Sequence, residues 1–158
     1  MELNGIPLHP LVVHAVVVLT PFAALLGVLY AVVPRWRWAL RWPLVAVTLA
    51  GVVTAFVATY TGQDLARSRG LGALEAVQKH QQAGVWLRNV MVAFTVVVGL
   101  AAWRLGGPSA LLSGGGERPA PGGIGTLLTV GALVVGSLAL GVAVFLAGDS
   151  GARAVWGS

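Results

Sequence analysis

The sequence predicts an all-α integral membrane protein, a single four-helix bundle with both termini on the same face. Two properties of the whole chain carry that expectation. Of its 158 residues 57% are apolar and 9% are charged, where soluble domains carry about 25% charged residues, and its mean hydropathy is +0.86. The third observation is that the apolar residues fall into four stretches, each about as long as the ~20 residues a helix needs to cross hydrocarbon. An even number of crossings returns the chain to its starting face. The period-two alternation of membrane barrel strands is missing from these stretches, and in lipid a helix satisfies its own backbone.

Span one is expected over about 10–33. The start, MELNGIPLHP, lacks the basic region and small-residue cleavage site of a signal peptide, so this span is expected to stay in the mature protein. Pro10 suits a first helical turn, and Pro21 removes the bond to the Val17 carbonyl and is expected to bend the helix. A tight basic turn, PRWRWALRW, leads into span two, about 43–62, where Ala46, Ala50, Gly51, Ala55 and Ala58 permit close helix packing. The segment LGALEAVQKHQQAGVWLR has helical periodicity and is expected to extend span three, about 84–104, above the bilayer. Glycine and proline then mark a flexible loop over about 106–123. Span four, about 124–147, carries Gly131, Gly136, Ser137 and Gly141 for packing.

Tryptophan prefers the membrane interface, and none of the six falls in the middle of a span. Trp36, Trp38, Trp42 and Trp103 lie at one face, and Trp86 and Trp156 at or near the other. The net charge of +5 comes from arginines that flank the apolar runs; they read as bilayer anchors, and no nucleic-acid partner is expected. Arg35, Arg37 and Arg41 crowd one short turn, which places that turn in the cytoplasm by the positive-inside rule and both termini outside.

The chain has three histidines, and this threading puts His9, His14 and His80 at the same face, beside Gln63, Asp64 and Asp149. Cysteine is absent, which removes thiolate ligands, iron–sulfur clusters and covalent haem attachment and leaves imidazole, carboxylate and amide donors. His9 and His14 are five residues apart, a rotation of about 140° on a helix. They do not form one stripe, so a site built on them needs other helices. His80, Gly84 and Arg88 do follow one stripe of span three. Arg88 is an ionisable group inside a span, and it reads either as a functional cation or as an arginine snorkelling to the headgroups.

Four segments, HPLVVHAVVVLTPFAA, TGQDL, HQQAG and GDSGARAVW, resemble the motifs of a family of bacterial four-helix membrane proteins known as domain of unknown function 2231. The resemblance runs over nearly the whole chain. It implies a four-span fold in a bacterial cytoplasmic membrane and assigns no established activity; fusion of some relatives to cytochrome c-type domains associates the family with electron transfer. His9, His14 and His80 match the family's histidines. The closing motif often reads GHSGA in relatives, and Asp149 stands here in place of that histidine.

Three readings stay open. A b-type haem would take His14 and His80 as axial ligands with Arg88 or Arg67 pairing its propionates. A divalent metal ion, zinc or copper, would use His9, His14, His80 and Asp149. A cofactor-free structural or accessory subunit would bind the lipid bilayer and a membrane protein partner or further copies of itself. No catalytic motif stands in the chain, so enzymatic activity reduces at most to an electron-transfer role.

Overall fold

The structure, a computed structural model, describes residues 2–3, 5–106 and 122–156. Four long helices build it: α1 (Leu8–Val32), α2 (Arg37–Ser68), α3 (Glu75–Leu105) and α4 (Ile124–Trp156). All four are long and apolar enough to cross a membrane. Most of the expected 106–123 loop, residues 107–121, lies outside the described residues.

Buried positions recur every three or four residues, which gives each helix one inward stripe. On α3 they are Leu87, Met91, Phe94, Val98, Ala101 and Leu105; on α4 they are Leu133, Ser137, Leu140, Ala143 and Ala147. The remaining surface is apolar too, with Val53, Val96, Leu127 and Phe145 exposed, as hydrocarbon contact permits. In sequence order each helix packs against its neighbours, and α4 closes the ring on α1. This leaves α1 and α3 facing each other across a diagonal.

Glycine sets the closeness of this packing. The ring of Phe94, 1% exposed, lies between α1 and α4: a Cβ built on Gly27 would stand 2.7 Å from Phe94 Cζ, and one on Gly136 would stand 2.8 Å from its Cδ2. Some hydroxyls inside the bundle turn back to their own helix, as Thr48 donates to the Leu44 carbonyl at 2.5 Å and Thr95 to the Met91 carbonyl at 2.8 Å, whereas the buried hydroxyls of Thr20, Tyr30 and Ser137 make no hydrogen bond to the described residues.

The connections satisfy the helix ends. After a 3-10 turn, Pro34–Trp36, the buried Arg37 guanidinium donates to the Tyr30 and Ala31 carbonyls at 3.0 and 3.1 Å, which the end of α1 leaves without helical partners. At the end of α2, Gly70 takes φ +65°; Leu71 N–H bonds the Ala66 carbonyl and Gly70 N–H that of Arg67, the Schellman arrangement that favours glycine. The segment before span three is continuous with it, so α3 begins at Glu75. Helices α2 and α4 likewise run past their apolar stretches, to Ser68 and Trp156. A two-residue antiparallel pairing, β1 (Glu2–Leu3) with β2 (Ile6–Pro7), precedes α1. It turns through Gly5 at φ +79°, and a side-chain period says nothing about so short a feature.

Replacing Gly27 by valine forces branched carbons into the Phe94 ring and the Ser137 hydroxyl. The expected cost is about 1–3 kcal/mol, read as a lower midpoint in thermal denaturation of the detergent-solubilised protein. Gly99→Ala, where a Cβ meets nothing within 4 Å, is expected to leave the midpoint unchanged.

Candidate functional site

At the face that carries both termini, the ends of all four helices surround a cavity of about 280 Å³. Its walls are almost wholly apolar, and among the polar side chains on them are His9, Gln63, His80 and Gln81. His9 stands in the first turn of α1 and His80 in the second turn of α3. Their rings meet across the diagonal of the bundle with centroids 6.0 Å apart and planes inclined at 68°.

Each ring rests on a glycine of a neighbouring helix and bonds to that same helix. A Cβ on Gly62 of α2 would stand 2.8 Å from His9 Cε1, and a Cβ on Gly151 of α4 would stand 2.9 Å from His80 Cε1. His9 Nδ1 lies 3.0 Å from the Ala58 carbonyl oxygen. A carbonyl only accepts, so Nδ1 carries the proton and donates it. His80 Nδ1 lies 3.2 Å from Ser150 Oγ, whose own proton goes to the Ala147 carbonyl at 3.0 Å. Ser150 therefore accepts from His80 Nδ1–H. The network assigns both neutral imidazoles to the same tautomer, each with an unprotonated Nε2 as its basic nitrogen.

The other expected site residues are elsewhere. His14 is exposed on the outer side of α1, its Nδ1 2.6 Å from the carbonyl of Pro10 one turn back, as the rotation between positions 9 and 14 requires. Asp149 is exposed and receives a hydrogen bond from Arg153 at 2.9 Å. The Arg88 guanidinium reaches Asn89 Oδ1 at 3.1 Å and lies 5.1 Å from the centre of the Phe56 ring. Arg67 is exposed near the end of α2. None of these four lines the cavity. Gly84 does line it, one turn below His80, and a Cβ there would meet only Thr59 Cγ2, at 3.8 Å. Among the described residues no group of three or more His, Cys, Asp or Glu side chains is placed to hold a metal ion, so the expected set of His9, His14, His80 and Asp149 does not assemble.

The profile of the family described as predicted membrane protein (DUF2231) matches residues 5–158. The chain belongs to that family. No curated protein and no solved structure matches it. This DUF2231 bundle thus pairs two of its three histidines, and Gly62, Gly151 and Ser150, which hold the pair, are residues that the sequence reading passed over. A signal was there: Gly62 and Gly151 belong to TGQDL and GDSGARAVW, the segments that carry the family resemblance.

Gly62→Ala and Gly151→Ala are each expected to displace one imidazole. In a histidine-labelled sample this reads as a shift of the His9 or His80 ring resonances, respectively, with those of His14 unmoved. Gly148→Ala, whose Cβ meets nothing within 4 Å, is expected to move none of them.

Proposed function

We propose that this membrane protein binds one b-type haem through His9 and His80 and serves as a one-electron carrier. The observation that carries the reading is the pair of imidazoles from different helices, each held by a bond at Nδ1 that leaves Nε2 as the basic nitrogen, both lining one apolar cavity. Donation of the distal N–H to a carbonyl or hydroxyl is the usual support of a metal-ligating histidine; it fixes the ring and raises its basicity.

The count of donors separates the candidate metals. Zinc takes four ligands in a structural site and three from the protein in a catalytic one, whereas the cavity offers two imidazoles. The iron of a haem takes four nitrogens from its macrocycle and needs two from the protein. If both imidazoles held one metal ion, bonds of about 2.0–2.1 Å would bring their ring centroids to about 6 Å. The separation of 6.0 Å agrees with that spacing.

Apolar walls would suit the macrocycle, and the bare backbone of Gly84 leaves room against α3; Arg67 and Arg88, the expected propionate partners, do not line the cavity and would have to reach it from outside. When bound, a haem with two imidazole ligands supplies reversible one-electron transfer and keeps no open position for a substrate. The arginine-rich turn Arg35–Arg41 lies at the opposite end of the bundle, and the positive-inside rule favours an orientation with the haem face outside the cytoplasmic membrane.

Expression with haem supplementation, followed by absorption spectroscopy of the purified protein, tests this. A Soret band at one haem per chain is expected for the wild type and for His14→Ala. The band is expected to vanish in His9→Ala and His80→Ala variants that elute as the wild type does in gel filtration. A wild type without the band, or a His9→Ala/His80→Ala double variant that keeps it, overturns the proposal.

A further inference from the structure

A second cleft opens beside the first at the same face, with a volume of about 480 Å³. Gln63 of α2 and Gln78, Gln81, Gln82, Trp86 and Asn89 of α3 line it. These include every glutamine in the chain and one of its two asparagines. Positions 78, 82, 86 and 89 follow the three- and four-residue steps of one helical stripe, and Gln63 faces that stripe from α2. In a chain so apolar, the gathering of all glutamines on one wall is a specific arrangement. Solvation of a helix end would be met as well by the lysine, arginine and glutamate that the chain also contains.

The lining states what the cleft can recognise. No charged side chain is part of it. Nearby Lys79 is paired with Glu75 at 2.6 Å, and Arg88 is engaged by Asn89 and Phe56. Gln78 Nε2 donates to the Gly72 carbonyl at 3.0 Å and Asn89 Oδ1 accepts from Arg88 at 3.1 Å; a primary amide offers two donors and a carbonyl acceptor, so Gln63, Gln81 and Gln82 together match a neutral ligand whose groups both give and accept hydrogen bonds. A polyhydroxylated ring has that chemistry. Trp86, 58% exposed, adds a flat surface against which the C–H face of such a ring can stack. The cleft shares Gln63, Gln81 and Val85 with the apolar cavity, and Trp86 marks it as lying at headgroup depth.

From this we infer that the cleft is a binding site for a neutral glycosyl group, presented as the headgroup of a membrane glycolipid. The inference does not depend on the haem reading: the haem would be held by His9 and His80, neither of which lines the cleft, although the two openings share Gln63, Gln81 and Val85.

The test uses the full chain labelled with 15N at tryptophan in phosphatidylcholine nanodiscs, with Trp86→Phe to assign its indole N–H signal. Adding monoglucosyl diacylglycerol to the bilayer is expected to shift the Trp86 signal and leave Trp156, exposed at the same face, in place. The shift is expected to disappear in Gln81→Leu/Gln82→Leu. Soluble methyl glucoside producing the same shift supports the glycosyl chemistry and assigns the source to free sugar. No shift with either sugar, an equal shift with phosphatidylglycerol, or a shift that survives in the double variant overturns the inference. The haem band and this signal are separate readouts, so failure of one is distinguishable from failure of the other.

Discussion

Hydrocarbon offers no hydrogen-bond partner, and a peptide group left unpaired in it costs several kcal/mol. From that constraint follow the helices, the return of hydroxyls such as Thr48 and Thr95 to their own carbonyls, and the placement of Arg37 over the end of α1. It also follows that water-dependent structure collects at the two ends of the bundle. The cavity and the amide-lined cleft both lie at one end, where helices run past their apolar stretches.

Lipid removes the hydrophobic force between helices and leaves packing to hold them together. Glycine therefore recurs wherever a bulky group must approach a backbone. In the middle of the bundle the group is a phenyl ring between Gly27 and Gly136; at its mouth it is an imidazole against Gly62 or Gly151. The same device serves cohesion in one place and orientation of a functional group in the other. A histidine so placed loses rotational freedom on folding, and its Nδ1 bond to a carbonyl or hydroxyl decides which nitrogen stays basic.

Length and hydropathy made the four helices and the shared face of the termini legible, because twenty apolar residues have few other solutions. The gathering of histidines at one face followed from threading alone. Which histidines meet did not. The 140° between positions 9 and 14 showed that one of them must turn away, but the choice depends on where α2 and α4 pack around α1, and no periodicity encodes that. The family motifs contain Ser150 and the two glycines, but their roles were hidden for a related reason: their contacts with the histidines join residues 53 to 71 apart in sequence. The amide cleft was half visible, since QKHQQ is evident as a segment, while the approach of Gln63 from another helix is not.

His9 and the glycine beneath it come from α1 and α2, and His80 and its glycine from α3 and α4. Each antiparallel hairpin thus carries one finished half, a ring already aimed by its own partner helix. Neither half is a site by itself; the seam between the hairpins makes it one. The spacing of the two rings is therefore fixed by how the hairpins pack on each other, α2 against α3 and α4 against α1, and by neither hairpin alone.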